Sequence, residues 1–286
     1  MKLKRVLTII VCLFVTLLCS GFQEEDRKQT LHFKVLYGLP LVDLNIQGYV
    51  IPLILDLGSH TASLNKDIIE KTKIAKTAKM VNSLDVYNKT FTSPTYISSK
   101  SLIDKYLLTD LEFVEMEGYN AEFESGTPEI LTYGKIGREP FLDKVLFFDR
   151  KKEICIIDQA YAGKKTDPTK YHAGDWMETD LKLNQGIGIS LCLLIDSSER
   201  KEFILDTGSN ISLINTGSVL KVPINLRNES IIVPLKLNNN TLLGLFSFYP
   251  FDLTNMKFDG ILGFDFFDHY LICLDFPNKK LFLKKY

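Results

Sequence analysis

The stretch EFILDTGSNISLIN, residues 202–215, decides the fold, because it ends a short apolar strand on an acid, Asp206, and continues into a Thr-Gly-Ser turn. A carboxylate at the end of a buried strand costs free energy unless hydrogen bonds, a partner or a proton offset its desolvation. The chain contains this arrangement twice, since residues 52–65 read PLILDLGSHTASLN and place Asp56 at the matching position. The two matched acids are therefore the first candidates for chemistry.

A second block also recurs, downstream of each acid. Residues 133–157 read YGKIGREPFLDKVLFFDRKKEICII, and residues 259–283 read DGILGFDFFDHYLICLDFPNKKLFL. Gly137 of the first block corresponds to Gly263 of the second. The distance from acid to glycine is longer in the first half, so the insertions fall between the shared blocks, where loops usually vary. The pattern indicates an internal duplication.

Both halves consist mainly of short β-branched and aromatic runs broken by turn residues, which is typical of strands. Helix is scarce: one is predicted in residues 65–74, with Asn65 as the N-cap, and short turns in residues 138–144 and 264–270. The sequence therefore predicts a mostly β protein with two β-barrel lobes related by a pseudo-two-fold axis. We place the first lobe at 28–158, a polar connector at 159–180 and the second lobe at 181–286.

The N-terminus predicts export. Three positive side chains, Lys2, Lys4 and Arg5, precede a largely apolar run at residues 6–18, which is too short to span a bilayer. A cut after residue 21 would release the mature chain, so residues 1–21 are the expected signal peptide. Alternatively, Cys19 is a lipid-modified N-terminus, as in bacterial lipoproteins, and tethers the protein to a membrane. We expect an exported bacterial protein, periplasmic or extracellular.

Composition excludes several classes of function. Hydrophobic residues make up 45% of the chain and charged residues 24%, which is ordinary for a globular protein. No basic stripe with interleaved aromatic residues is found, so nucleic acid is not expected as a partner. The four histidines show no spacing with cysteines or acids that suggests a metal site, and no cofactor motif is present. Cys155, Cys192 and Cys273 each lie in an apolar run, which is typical of inert core cysteines.

The strand ending in Asp-Thr-Gly-Ser, followed by the ILG element at residues 261–263, resembles a lobe of the aspartic proteases of the pepsin and retropepsin type. Both halves match in outline, over most of the chain after residue 30. The resemblance implies a monomeric endopeptidase with one acid from each lobe, Asp56 and Asp206. Two carboxylates about 3 Å apart cannot both ionise cheaply, so they share one proton, activate a water and hydrolyse an extended peptide substrate.

The resemblance also implies supporting residues. Gly58 and Gly208 would let the chain turn tightly under each acid. Ser59 and Ser209 would hydrogen-bond the outer carboxylate oxygens. In the family, the Thr after each acid reaches across the axis and locks the two loops together, which Thr207 can do. The glycines of the second block, Gly137 and Gly263, belong to the loops that support the acids.

Two positions depart from the family pattern. Leu57 stands where the lock needs a second Thr, and Lys135 stands at a position that is usually apolar, so we expect the supporting loop of the first lobe to be less well packed. These departures keep a second hypothesis open, a module that binds extended peptides in the cleft without cleaving them. Flap residues cannot be assigned from the sequence, and Tyr87 and Tyr96 are candidates from their position alone. His60 either tunes the field at Asp56 or is a loop side chain.

Overall fold

The computed structural model describes residues 28–84, 90–116, 133–184, 188–195, 199–216, 230–251 and 257–286. The expected signal peptide, Cys19 and the flap candidate Tyr87 lie outside these ranges. Within the described residues, no helix is both long and apolar enough to cross a membrane.

The first half, up to residue 159, is built from strands and one short helix. Its strands are β1 (Gln29–His32), β2 (Lys34–Leu36), β3 (Leu39–Ile46), β4 (Tyr49–Leu55), β5 (Ala62–Leu64), β6 (Ala75–Leu84), β7 (Thr90–Ile103), β8 (Tyr106–Glu115), β9 (Gly134–Ile136), β10 (Lys144–Asp149) and β11 (Ile154–Gln159). Helix α1 (Lys66–Thr72) follows β5. The Asn65 side chain accepts a hydrogen bond from the backbone N–H of Ile68 at 2.8 Å, so the predicted N-cap is confirmed.

The second half repeats this plan. Its strands are β12 (Met177–Asp180), β13 (Lys182–Asn184), β14 (Gly188–Ile195), β15 (Glu199–Leu205), β16 (Leu213–Asn215), β17 (Ile231–Asn238), β18 (Thr241–Phe251), β19 (Gly260–Leu262), β20 (Tyr270–Asp275) and β21 (Lys280–Lys285). Short 3₁₀ turns occupy Glu139–Phe141 in the first half and Phe264–Asp268 in the second, where the sequence predicts turns.

Each half folds into its own barrel-like sheet. The first has the strand order β2-β3-β4-β9-β5-β8-β7-β6, and β3 also pairs with β7. The second has the order β13-β14-β15-β19-β16-β18-β17, and β14 also pairs with β17. The parallel pairs β4–β9 and β5–β8 of the first sheet correspond to β15–β19 and β16–β18 of the second. The predicted fold class, mostly β with two matching lobes, is confirmed.

A third sheet joins the two halves. Its strand order is β1-β11-β10-β20-β21-β12, so three strands of the first half are followed by three of the second. The two groups meet at the central antiparallel pair, β10 and β20. In that pair Leu146 lies opposite Leu274, and Phe147 lies opposite Cys273. The recurrent downstream blocks therefore meet each other directly. Strand β12 pairs with β21, so the end of the segment expected to be a connector is part of this sheet.

The core continues across the junction between the halves. Phe148 of β10 packs edge-on against Phe267 of the second half, with ring centroids 5.3 Å apart, and Phe33 packs against Phe264 at 5.7 Å. All four rings are buried. Because large aromatic side chains dominate the energetics of a core, this contact fixes one lobe against the other and so positions the two acid turns.

The three cysteines in the described part of the chain form no disulfide. Cys155, Cys192 and Cys273 are free thiols, and the first and last are buried in the sheet that joins the halves. Burial raises the pKa of both buried thiols well above the ordinary value, so they are protonated at physiological pH.

Candidate active site

The two acids lie on backbone turns of the same design. The backbone N–H of Asp56 donates to the carbonyl of Ile136 at 2.9 Å, and the N–H of Asp206 donates to the carbonyl of Leu262 at the same distance. Each acid thus ends a strand and is held by the strand that carries the downstream glycine. The duplication seen in the sequence is reproduced in the hydrogen bonds under each acid.

The downstream glycines are required by close backbone contacts. A Cβ atom at Gly137 would lie 2.5 Å from the carbonyl oxygen of His60, and one at Gly263 would lie 2.5 Å from that of Ile211. Real Cβ atoms essentially never approach backbone oxygens so closely. These glycines let each supporting strand pass directly beneath the turn that carries an acid.

The two carboxyl groups meet across the junction and form a side-chain hydrogen bond between Asp56 and Asp206. The glycines of the two turns, Gly58 and Gly208, make this approach possible by leaving space for the carboxyl groups. The sequence does not reveal this role. A Cβ at Gly208 would lie 2.5 Å from Cγ of Asp56, and a Cβ at Gly58 would overlap Oδ1 of Asp206. Each glycine therefore makes room for the acid of the other half, in addition to turning its own chain.

The outer side of Asp56 is surrounded by donors. The hydroxyl of Ser59 donates to Oδ2 at 2.6 Å, and the backbone N–H of Ser59 donates to Oδ1 at 3.0 Å. The ammonium group of Lys135 lies 2.8 Å from the same Oδ2 and also donates to the Ser59 hydroxyl. Asp56 thus accepts a charged and two neutral hydrogen bonds, an environment that favours the ionised form.

Asp206 receives fewer donors, and here an expectation from the sequence is wrong. The backbone N–H of Gly208 donates to Oδ1 of Asp206 at 2.9 Å. The hydroxyl of Ser209, expected to reach the outer oxygen of Asp206, donates instead to the carbonyl of Ile211 at 2.8 Å. That carbonyl lies within the same turn and satisfies the hydroxyl locally, so Ser59 and Ser209 play different parts.

The pKa values of the two acids move in opposite directions. Burial raises the pKa of Asp56, but the charge of Lys135 and hydrogen bonds from Lys135, Ser59 and Asp206 outweigh burial and lower it to about 2. Burial, the charge of Asp56 and the hydrogen bond with it raise the pKa of Asp206 to about 8, against a smaller opposing effect of Lys135. These opposite shifts favour a pair that shares one proton, with the proton on Asp206.

Lys135 contacts the acid of its own half, a role that the sequence does not predict. The matching position in the second half is the buried Ile261 of the ILG element. Lys135 occupies the equivalent place in strand β9, yet its aliphatic chain is largely covered and its ammonium group ends on Asp56, with 24% of the side chain exposed.

Half of the expected lock between the two turns is present. The hydroxyl of Thr207 donates to the carbonyl of Leu55 at 2.6 Å and accepts from the backbone N–H of Leu57 at 2.8 Å. Both bonds cross from the second half to the first and are buried. Leu57 has no hydroxyl with which to return them, and its side chain is buried in the core. One threonine therefore carries the hydroxyl lock between the acid turns.

We predict that Thr207→Val lowers the free energy of unfolding by about 3 kcal/mol, because the change leaves the Leu57 N–H and the Leu55 carbonyl buried without this partner, at ~1–3 kcal/mol each. The measurement is urea unfolding at pH 6. Thr241→Val, at the start of β18, is the control and is expected to change little. Equal stability of the Thr207→Val variant and the wild type would show that the hydroxyl lock contributes nothing.

Arg138 is a functional candidate that sequence reasoning missed. It follows Gly137 directly, is buried, and donates from Nη1 to the carbonyls of Gly58 at 2.7 Å and Leu57 at 3.4 Å. Burial lowers the pKa of its guanidinium, and the charges of both acids oppose that change. Arg138 thus supports the turn whose lock Leu57 leaves incomplete. The sequence does contain one indication of this role, because the corresponding residue of the second half is the apolar Phe264.

Other candidates from the sequence lie away from the pair. Tyr96 lies within β7, opposite Lys76 and Phe113, and its hydroxyl donates to Glu115 at 2.8 Å. It packs against the core of the lobe, so it is not a residue at the tip of a flap. The side chain of His60 is exposed on its turn, as expected of a loop residue. Among the described residues, no group of three or more His, Cys, Asp or Glu side chains could hold a metal ion.

The shifted pKa values of Asp56 and Asp206 make the stability of the fold depend on pH. Between about pH 4 and pH 8 the folded Asp206 retains a proton that the unfolded chain has released, so stability falls as the pH rises through this range. Asp56 behaves oppositely: its contribution is present above pH 4 and is lost as the pH falls toward about 2.

We therefore predict that the Tm of the wild type falls more steeply between pH 5 and pH 8 than that of Asp206→Asn, because asparagine cannot ionise. Thermal unfolding followed by circular dichroism at several pH values measures this difference. Parallel Tm curves for the two proteins would rule out a raised pKa for Asp206.

Comparison with known proteins places the fold. No protein-family model and no curated protein matches the sequence. Among solved structures, the aspartic proteinase from Irpex lacteus matches with a TM-score of 0.58 at 14% identity, covering 90% of this chain and 97% of that one. Basic 7S globulin from soybean matches with a TM-score of 0.56 at 8% identity, covering 90% and 94%. The chain has the two-lobed fold of pepsin-like aspartic proteinases.

Proposed function

We propose that this protein is an aspartic-type endopeptidase, in which Asp56 and Asp206 hydrolyse peptide bonds with an activated water. The observation that carries the proposal is the hydrogen-bonded pair of carboxyl groups, one from each half, in surroundings that favour the ionised form of Asp56 and the protonated form of Asp206. General acid–base catalysis of hydrolysis needs one group of each kind at the same point.

The proposed reaction follows from that proton placement. Asp56 accepts a proton from the bound water as the water oxygen attacks the carbonyl carbon of the peptide. Asp206 donates its proton to the carbonyl oxygen, which gives a tetrahedral diol without a covalent enzyme intermediate. Asp56 then passes its proton to the leaving amine, the C–N bond breaks, and Asp206 recovers a proton from the diol, so the pair returns to its starting state.

The proposed substrate is a peptide or protein segment in extended conformation. A cleft between two sheet-built lobes can take an extended chain through strand-like main-chain hydrogen bonds. On the enzyme side, the β2–β3 turn of the first half reaches the acid turn of the second half, where the Asn210 amide donates to the carbonyl of Tyr37 at 3.4 Å. The exposed Tyr37 is therefore available to a substrate that enters beside Asp206.

We also propose that the protein acts outside the bacterial cytoplasm, as a monomer with internal pseudo-symmetry. The basic start and apolar run of residues 1–21 support export, and Cys19 supports a lipid tether as the alternative to free release. Intact mass and N-terminal sequence of the secreted or membrane fraction distinguish the two, because lipidation blocks the chain at Cys19.

The test of the proposed function is cleavage of a peptide mixture by the purified mature protein between pH 3 and pH 8, with new termini identified by mass spectrometry. We expect cleavage within extended, unstructured peptides. A lack of new termini at every pH, from protein that is folded by circular dichroism, would contradict the proposal.

A second candidate is a peptide-binding module without hydrolysis. Leu57 favours it, because a lobe that takes no part in catalysis does not need the complete lock. Basic 7S globulin from soybean, a structural neighbour, also has this fold. A comparison of the wild type with Leu57→Thr distinguishes the two candidates. Under the peptidase hypothesis the wild type already cleaves peptides. Under the binding hypothesis the wild type does not cleave them, and only the variant can gain this activity.

A further inference from the structure

A lysine ammonium group contacts one acid of the pair. Lys135 Nζ lies 2.8 Å from Oδ2 of Asp56 and also donates to the hydroxyl of Ser59, which itself donates to that same oxygen at 2.6 Å. The three groups form a closed cluster on the outer side of Asp56. The Asp56 side chain is 8% exposed and that of Lys135 24%, so solvent screens the ion pair only partly.

The second half offers an internal comparison for this contact. Strand β19 matches β9, and Ile261 occupies the place of Lys135, so the described part of the chain puts no cation at the equivalent position beside Asp206. In addition, the Ser209 hydroxyl is bonded to Ile211 and not to Asp206. The two halves therefore have the same backbone arrangement around the acids, but only Asp56 has a cationic side chain at this position.

We propose that Lys135 is a positioning residue that assigns the shared proton to Asp206, keeps Asp56 ionised as the base, and extends the range of hydrolysis toward acid pH. The proposal rests on the function proposed above and deepens it. A symmetric pair can carry its proton on either acid, whereas a cation fixed to one of them makes the two states unequal.

The direction of the pH effect follows from the charges that face the pair. Asp56 is faced by Lys135 from β9, by Arg138 from the turn after β9 and by Asp206 from the other half. Lys135 favours the ionised form of both acids but contacts only Asp56. Removal of Lys135 should therefore shift both limbs of the pH–rate profile to higher pH. The acid limb should shift more, by about 1–3 pH units, because an opposite charge in contact with a carboxyl group lowers its pKa by this amount.

The experiment compares the wild type with Lys135→Met, which removes the charge, and Lys135→Arg, which keeps it. Carboxyl signals of the protein labelled with ¹³C-aspartate are titrated by NMR from pH 2 to pH 9, and Asp56→Asn assigns the Asp56 signal. We expect the Asp56 midpoint to rise by at least about one pH unit in Lys135→Met. It should stay close to the wild-type value in Lys135→Arg. Lys135→Gln serves if Lys135→Met does not fold.

The NMR result judges the inference independently of activity. The same Asp56 midpoint in the wild type and Lys135→Met would overturn it, whether or not peptides are cleaved. A shifted midpoint without cleavage by any of the proteins would support the proton placement and reject the peptidase. With cleavage, the acid limb of kcat/KM should shift with the NMR midpoint. An unchanged limb would overturn the claim that Lys135 sets the pH range.

Discussion

Asp56→Asn is expected to reduce kcat/KM for peptide hydrolysis by a factor on the order of 10⁴, the scale seen when one member of a catalytic unit is removed. Asparagine is nearly isosteric but cannot accept a proton from water. Asp206→Asn is expected to be equally damaging, because its amide cannot protonate the carbonyl oxygen. The double variant should be little worse than either single one, since both acids serve one step.

The assay is initial-rate cleavage of a fluorogenic peptide at pH 5, with circular dichroism to show that each variant folds. Asp43→Asn is the matched control, because Asp43 is an exposed acid on β3, away from the pair. Activity of either pair variant within tenfold of the wild type would mean that the two acids do not form a catalytic unit.

Gly58→Ala is the second change with a large expected effect. Its added methyl group would overlap Oδ1 of Asp206, in the carboxyl group that forms the hydrogen bond with Asp56. Asp206 is half-buried on a short turn, so relief of this overlap must displace its carboxyl group from the present position beside Asp56. Because a displacement of about 1 Å at a reacting group can cost ~10² in rate, we expect at least a hundredfold loss in kcat/KM.

The loss should fall mainly on kcat, since the extended substrate would still bind along the cleft. The control is Gly244→Ala in β18, where an added Cβ would lie 3.5 Å from the ring of Phe246, an ordinary contact. Both variants are measured for kcat, KM and urea unfolding. If Gly58→Ala keeps wild-type activity, the acids do not approach each other across Gly58, and the geometry of the pair described above is wrong.

The duplicated elements could be predicted because their signals are local. Strand, acid, glycine and serine follow one another within a few residues of Asp56 and Asp206. Helix α1 is predicted from its N-cap residue, Asn65. The sheet that joins the halves could not be foreseen, because β10 and β20 are far apart in the chain. Their pairing depends on burying Phe148 against Phe267, a contact that no local pattern indicates.

The differences between the halves were harder to predict than their likeness. The same motif at Ser59 and Ser209 implied the same role, yet only Ser59 bonds to its acid, since Ser209 has a nearer acceptor in Ile211. The sequence shows Lys135 as a departure from the family pattern but not its contact with Asp56, because a sequence does not show where a long side chain ends. Arg138 was overlooked for the same reason: its carbonyl acceptors belong to a turn that is distant in sequence.

The central claim, one proton shared by Asp56 and Asp206 across the two lobes, is tested most directly by neutron diffraction from crystals exchanged into deuterated buffer at pD near 5. The account predicts carboxyl groups within hydrogen-bonding distance and a single deuterium on Asp206 directed at Asp56, with none on Asp56. Carboxyl groups that lie apart in separate cavities, or a pair carrying two deuterium atoms or none, would contradict it.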